Sequence, residues 1–247
     1  MKVESYTYGD QAIRVVFGDK IHESISNEIR KFCYKLEQAH LPEVIEWVPS
    51  FTAVTIYFDP IKTDAQSIMQ SAQEIMTSSN DISLPKASVC EIPVFYGGEY
   101  GPDLRKVAEN NKLTEEDVIN IHTSRAYLVY MIGFTPGFPY LGGMDESIAC
   151  PRLDTPRKLV KAGSVGIAGS QTGMYSLDSP GGWNIIGRSP VELFHKKRTP
   201  PALLQQGNYV RFYPIDEKTY RDIREKSENG DYTPVWREKE DHDEAMH

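Results

Sequence analysis

One histidine in this sequence occupies a position where an acid or a base could work near neutral pH. His122 ends a short helical pattern, just before a strand-like segment. An imidazole changes charge between about pH 5 and 8, so it suits proton transfer if it faces a binding loop. A histidine in the last turn of a helix can instead interact with the carbonyl groups at that end. Both interpretations are open from the sequence.

The loop GFTPGFPYLGG, residues 133–143, has the composition of a contact surface. It holds four glycines, two prolines and three aromatic residues in eleven positions. Pro136 and Pro139 lack amide donors, which predicts that neither a helix nor a central strand runs through the loop. The loop is also too apolar for a solvated linker. It is either a rigid surface that contacts a ligand or partner, or a buried structural corner.

Two further glycine-rich loops follow, GSVGIAGSQTG at 163–173 and SPGGW at 179–183. Few side chains obstruct the loop at 163–173, so its backbone N–H groups could converge on a carboxylate or another oxyanion. Taken singly, each loop is also consistent with a turn between barrel strands. Their occurrence together, beside several cationic side chains, favours a binding surface.

The charge distribution favours a small anionic substrate or an acidic partner. The chain of 247 residues has a net charge of -8, yet residues 152–211 carry 9 basic and 3 acidic side chains. Nucleic acid usually requires a broader basic surface, so we do not expect it as a partner. A solvated loop at 196–198 accounts for part of the basic excess.

These loops and the cationic segment supply the candidate site residues. The catalytic candidates are His122, Arg152 and Lys161. The substrate-binding candidates are Thr135, Phe138, Tyr140, Gly169, Gln171, Gly181, Gly182 and Trp183.

Standard cofactor and nucleophile signatures are absent from the sequence. The six histidines have no metal-ligand spacing, so no metal site is predicted. There is neither a GxxxxGK[ST] nor a GxGxxG loop, and no GxSxG elbow. A hydrolase that works without partners is therefore not indicated.

The first part of the chain predicts a small α+β domain over residues 1–85. Strand-like runs lie at 12–17, 44–48 and 53–58, and apolar residues at helical spacing mark a helix at 23–39. A second helix begins near Asp64, its expected N-cap, and a strand follows at 88–96. This order of elements predicts a ferredoxin-like sheet with its helices on one face.

The remainder predicts a barrel domain over residues 86–220. Segment 78–88 has the composition of a linker, and Thr114 and Asp117 form a capping box for a short helix. From residue 127 to 214, glycine or proline interrupts short strands every eight to twelve residues, as in closed β-barrels. The acidic segment 221–247 is predicted to be a mobile tail.

Composition predicts a cytoplasmic location. An apolar content of 40% and a charged content of 25% are typical of soluble globular proteins. The N-terminus lacks the apolar core of a secretion signal, and no segment suits a membrane span. Three scattered cysteines fit a reducing compartment.

Several motifs resemble one known family. EIPVFYGGEYGPDL, IHT, GFTPGFPYLGGM, KAGSVGIAG and SPGGWNIIGRSP, in this order, are similar to the KipI family, which includes the B subunit of 5-oxoprolinase and allophanate hydrolase subunit 1. The resemblance covers roughly residues 5–220. Lys161 stands where relatives have proline, which departs from the family pattern.

The resemblance implies a cyclophilin-like β-barrel after an α+β domain. It also implies one component of an ATP-dependent 5-oxoprolinase, which acts with the C and A subunits of that enzyme and is inactive without them. ATP is the implied cofactor, bound by or shared with these partners. The reaction opens 5-oxo-L-proline to L-glutamate.

The same motifs leave a second function open. A KipI-like member inhibits a sensor histidine kinase, and the aromatic loop would suit that binding role as well. We favour the enzyme component over the kinase inhibitor. Half of a urea-type carboxyltransferase is a weaker interpretation, because the sequence has no biotin-attachment segment.

Overall fold

The structure, a computed structural model, describes residues 3–78, 84, 86–240 and 243. The chain forms two compact units, Met1–Pro85 and Lys86–His247. Residues 79–83 and 85 of the predicted linker lie outside the described part. Within the described residues, no helix is both long enough and apolar enough to cross a membrane.

The first unit is a four-stranded antiparallel sheet packed against two helices. Its strand order is β1-β2-β4-β3. The side chains of Ile29, Phe32 and Ile68 on the helices pack against one face of the sheet. The helix predicted at 23–39 is confirmed, and Asp64 caps the second helix by accepting the Ser67 amide at 2.8 Å. The elements are β1 (Glu4–Thr7), β2 (Ala12–Val16), α1 (Glu23–Ala39), β3 (Val44–Pro49), β4 (Ala53–Phe58) and α2 (Ala65–Thr77).

The described part of the second unit contains the remaining strands and three α-helices. A 3-10 turn lies at Glu146–Ile148. The elements are β5 (Ser88–Tyr96), α3 (Leu104–Asn111), α4 (Glu115–Thr123), β6 (Ala126–Ile132), β7 (Pro139–Gly142), β8 (Arg157–Val160), β9 (Ser164–Ala168), β10 (Gln171–Met174), β11 (Ser179–Gly181), β12 (Asn184–Arg188), β13 (Tyr209–Pro214), α5 (Glu217–Glu228) and β14 (Val235–Glu238).

Seven of these strands close into a barrel, which confirms the predicted architecture of this unit. Their order is β12-β9-β10-β7-β6-β13-β5, and the pairing of β12 with β5 closes the circle. Apolar side chains fill the interior, as in small barrels generally. The barrel fits the cyclophilin-like type. Strand β5 is a barrel strand in this arrangement, so the prediction that it completes an N-terminal sheet is wrong.

Strands β8 and β11 lie outside this circle. They pair with each other as a two-stranded ribbon, with Val160 opposite Ser179. Apolar residues of the ribbon and of the barrel's outer wall form a separate small cluster. The ribbon therefore adds a second layer to one side of the barrel.

The expectation that no central strand runs through residues 133–143 is wrong at strand β7. Pro139 begins a strand that pairs with β6 on one side and β10 on the other, so a central strand does enter the loop. The strand tolerates Pro139 because a proline at its first position removes few ladder hydrogen bonds.

The C-terminal segment is also more ordered than predicted. It contains α5 and β14, and β14 extends the barrel sheet by pairing with the first half of β5. Arg237 on β14 donates to the Glu91 carboxylate at 3.1 Å and forms an ion pair with the fully buried Asp243. These contacts explain why a polar, acidic composition does not produce a mobile tail over the described residues.

Candidate functional site

The candidate site lies on the outer wall of the barrel, beneath the ribbon. Successive residues of a strand point to opposite faces, so Val165 and Ile167 of β9 fill the barrel while Ala168 faces outward. Gly173 of β10 also faces outward, where a Cβ atom would lie 2.9 Å from the Trp183 ring. The absence of a side chain at Gly173 thus lets Trp183 lie directly against the wall.

Aromatic rings build the floor of a cavity at this place. Phe138 is 2% exposed and makes edge-to-face contacts with Tyr140, Tyr175 and Trp183, at centroid distances of 5.2, 5.5 and 5.9 Å. Phe134 contacts the same ring from the loop and stays 64% exposed. Such geometries are the favoured ones for aromatic pairs. The rings therefore form a rigid apolar surface that opens to solvent.

The cavity has a volume of about 420 Å³ and one charged group. Arg152 is that group; it is exposed and has no hydrogen bond or ion pair within the described residues. Burial raises the pKa of Tyr140, and the charge of Arg152 opposes this rise. The lining residues are Phe134, Phe138, Tyr140, Arg152, Pro156, Tyr175, Pro180, Gly181, Gly182 and Trp183.

The structure brings six of the predicted site residues together in this cavity and leaves five elsewhere. Sequence reasoning missed the contributions of Phe134, Pro156, Tyr175 and Pro180. Tyr175 alternates with Gly173 along the chain, and this period-two spacing was the signal that could have found it. The predicted residues that line the cavity are Phe138, Tyr140, Arg152, Gly181, Gly182 and Trp183.

Four of the other predicted residues have separate contacts. The Thr135 hydroxyl lies 3.1 Å from the Ser176 hydroxyl, and Gly169 exchanges backbone hydrogen bonds with Cys150. Gln171 belongs to β10, and Lys161 forms an exposed ion pair of 2.8 Å with Asp178. None of these four residues lines the aromatic cavity.

The loop at 163–173 does not form the predicted oxyanion site. Most of it is the β9–β10 hairpin, whose amides pair in the barrel sheet. At its ends, the Gly163 amide donates to the Tyr175 carbonyl at 2.7 Å and the Gly169 amide to the Cys150 carbonyl at 2.7 Å. These donors are therefore already used by the fold, so of the two interpretations left open for this loop, the turn between barrel strands applies.

His122 lies inside the barrel, on the opposite side of the wall from the cavity. It is fully buried, stacks on Phe212 with centroids 4.8 Å apart, and places Nε2 2.8 Å from the Thr172 hydroxyl. The Thr172 hydroxyl donates its hydrogen to the Gly166 carbonyl, so its oxygen accepts a hydrogen bond from the N–H group at Nε2. Nδ1 then accepts from the Tyr96 hydroxyl at 2.8 Å. His122 does face the second glycine-rich loop, through Thr172, but this contact is inside the barrel.

The buried position makes His122 a determinant of acid stability. Burial lowers its pKa from 6.5 to about 3, so the folded state binds fewer protons than the unfolded state below pH 6.5. The stabilisation that depends on a neutral His122 is complete above pH 6.5. As the pH falls below this value, the free energy of unfolding decreases by about 1.4 kcal/mol per pH unit. Urea unfolding at several pH values between 7 and 4 measures this effect. The free energy of unfolding should fall more steeply with decreasing pH in the wild type than in His122→Asn. Parallel curves for the two proteins would contradict a neutral buried imidazole.

A buried carboxylate that sequence reasoning missed fixes one side of the site. Asp103 is 7% exposed, accepts the Ile185 amide at 2.7 Å and forms a 2.8 Å ion pair with Arg157 on the ribbon. It therefore ties β8 to β12, immediately after Trp183. The motif GGEYGPDL contains this residue, but no spacing rule identifies a lone aspartate as a structural anchor.

Comparison with known proteins identifies the class to which this barrel and its ribbon belong. The carboxyltransferase domain family, subdomain C and D, matches residues 3–204, and the chain belongs to this family. The K. lactis urea amidolyase has the same fold: the TM-score is 0.78 at 21% identity, over 96% of this chain and 16% of that much longer chain.

Within this family, the chain is similar over most of its length to B subunits of 5-oxoprolinase. It is 42% identical to the B subunit of 5-oxoprolinase from Bacillus subtilis, over 89% of this chain and 95% of that protein. It is 45% identical to the B subunit of 5-oxoprolinase from Haemophilus influenzae, over 69% of this chain and 78% of that protein.

Proposed function

We propose that this chain is the B subunit of an ATP-dependent 5-oxoprolinase, which converts 5-oxo-L-proline to L-glutamate together with the A and C subunits. One observation carries the proposal: the cavity combines an aromatic floor with a single unpaired cation, Arg152, among the described residues. This is a binding surface for a small cyclic anion. Relatives named as the B subunit of 5-oxoprolinase, up to 45% identical, support it.

The substrate matches the cavity in charge and shape. The carboxylate of 5-oxo-L-proline would pair with the planar guanidinium of Arg152, which can donate two parallel hydrogen bonds. The flat five-membered ring would lie against Tyr140 and Trp183. Gly182 lets the lactam approach the backbone closely, whereas the space beside Gly181 is occupied by the Tyr175 hydroxyl.

The cavity does not hold a complete catalytic apparatus. Its lining, within the described part of the chain, has no carboxylate, histidine, lysine, serine or cysteine that could serve as a base or nucleophile. A lactam is a resonance-stabilised amide, and phosphorylation of its oxygen by ATP would make it an activated electrophile. The C and A subunits would supply the missing groups and bind ATP or share it with this chain. This chain would then be inactive alone.

Reconstitution tests this function. The chain is co-expressed with the products of neighbouring open reading frames, and ATP-dependent release of glutamate from 5-oxoproline is measured. We expect turnover by the complex and none by the isolated chain. A stable complex with these partners that lacks this turnover would contradict the proposal.

Arg152→Gln tests the role assigned to the cavity. We expect the KM for 5-oxoproline to rise about 10- to 100-fold with kcat little changed, because a charged hydrogen bond to the substrate is lost. The melting temperature should not change, since Arg152 is exposed. Lys196→Gln, which removes an exposed charge elsewhere in the basic segment, is the control. An unchanged KM for Arg152→Gln would remove this residue from the site.

The kinase-inhibitor alternative is not favoured, because these relatives are named as enzyme components. We further propose a ferredoxin-like type for the N-terminal unit and a cytoplasmic location. The strand order β1-β2-β4-β3, with α1 and α2 packed on the sheet, supports the first proposal. Three free cysteines support the second.

A further inference from the structure

A second cavity, of about 360 Å³, lies between strand β8 of the ribbon and strands β9 and β12 of the barrel. None of its lining residues lines the aromatic cavity described above. Its volume is within the range of small-molecule sites. Its lining residues are Glu99, Tyr100, Pro102, Arg157, Leu159, Val160, Lys161, Ser164, Ile185 and Arg188.

Two polar residues of the cavity stand side by side on neighbouring strands. Ser164 on β9 is directly opposite Arg188 on β12 in the antiparallel register. Side chains of such a pair project from the same face of the sheet, with Cβ atoms about 5 Å apart. The hydroxyl and the guanidinium therefore enter the cavity together.

Both residues have unused hydrogen-bonding groups. Ser164 is 5% exposed, and its hydroxyl has no partner within the described part of the chain. The Nε of Arg188 donates to the Ala162 carbonyl at 2.8 Å, which orients the guanidinium. Its two terminal nitrogens have no hydrogen-bond partner among the described residues. The Ser164 hydroxyl borders the open space of the cavity, so it and these nitrogens can donate to a ligand atom there.

The other charges of the cavity are largely compensated. Arg157 pairs with Asp103 and Lys161 pairs with Asp178, both at 2.8 Å. Glu99 is exposed, so solvent screens its charge. Arg188 has no ion pair within 4 Å among the described residues, although its charge lowers the pKa of the more distant Asp178 carboxyl. It is therefore the cation whose terminal nitrogens are available to a ligand, while Tyr100, Leu159 and Ile185 offer apolar surface around it.

We propose that this second cavity binds the oxyanion group of a small molecule, held by Arg188 and the Ser164 hydroxyl. A guanidinium fork matches carboxylate and phosphate oxygens alike, and the hydroxyl supplies one further donor. The apolar wall accepts the remainder of the ligand. The site is distinct from the aromatic cavity, and its existence does not depend on the function proposed for that cavity.

Calorimetric titration of the purified full-length chain tests the site. The probes are inorganic phosphate, ATP and L-glutamate, used separately. We expect 1:1 binding of at least one of them. Binding of phosphate and ATP identifies a phosphate site, and binding of glutamate alone identifies a carboxylate site.

Two variants of the site and two controls locate the binding. Arg188→Gln should weaken it about tenfold or more, and Ser164→Ala by about two- to tenfold. Lys158→Gln removes an exposed charge of the same ribbon that does not line the cavity, and Arg152→Gln removes the cation of the aromatic cavity. Both should bind within about twofold of the wild type.

Three results would overturn the proposal. The first is no binding of any probe up to about 10 mM. The second is equal weakening by Lys158→Gln and Arg188→Gln, which indicates non-specific attraction. The third is unchanged binding by Ser164→Ala, and this result decides the question if Arg188→Gln does not fold.

Discussion

Replacing Phe138 by alanine is expected to lower the free energy of unfolding by about 3 to 4 kcal/mol. The ring is 2% exposed and contacts Phe134, Tyr140, Tyr175 and Trp183. Its removal leaves a void in the small core between ribbon and barrel, and those rings lose their common neighbour. Urea unfolding of the isolated chain measures the loss directly.

Phe134→Ala is the matched control, because it removes the same side chain from the exposed side of the same loop. Phe134 is 64% exposed, so we expect a stability within about 0.5 kcal/mol of the wild type. Its effect should appear in the complex, as weaker assembly with the other enzyme components or a higher KM, since exposed aromatic residues are frequent interface anchors. Equal unfolding midpoints for the two variants would show that Phe138 is not a core residue.

This pair of residues settles the two interpretations of the aromatic loop. Composition left a contact surface and a buried corner open, and the structure assigns each to a different residue. Phe138 faces the barrel wall and belongs to the core, whereas Phe134 faces solvent at the cavity. Composition cannot separate these roles, because both residues are phenylalanines in one turn and differ only in direction.

The barrel could be predicted from local patterns. Short strands, period-two alternation and regularly spaced glycines and prolines are properties of neighbouring residues, and they indicated the closed sheet. Segments 221–228 and 235–238 were missed for the opposite reason. Segment 235–238 is ordered by pairing with β5, more than a hundred residues earlier, and by the ion pair between Arg237 and Asp243. Segment 221–228 continues a helix whose Tyr220 packs against Phe95 and Tyr100, again more than a hundred residues earlier.

The candidate site was predicted only in part, for a similar reason. The motifs identified Arg152 and Trp183, which line the cavity. They also selected His122, which reaches Thr172 from the inside of the barrel, one residue away from Gly173 on the outside. The single sheet of the barrel separates these residues, and the local sequence pattern does not determine which face of each strand points inward.

Gly101→Ala is expected to have the largest effect of any single methyl group added to this barrel. A Cβ atom at this position would lie 2.1 Å from the Ile186 carbonyl oxygen and 2.6 Å from the Gly97 amide nitrogen. Both are backbone atoms. The Gly97 amide donates to the same Ile186 oxygen at 3.0 Å, where β12 closes onto β5. Relief of the overlap would thus separate the strands that close the barrel.

We therefore expect Gly101→Ala to cost more than about 4 kcal/mol, or to give no soluble folded chain. Gly98→Ala is the matched control in the same motif. Gly98 has a φ of +54° but open space around it, so only backbone strain of about 1 kcal/mol is expected. Soluble yield and thermal unfolding of the two variants provide the measurement. Similar stability of both would contradict the close approach of Gly101 to β12, because only at Gly101 would the added methyl group overlap with backbone atoms.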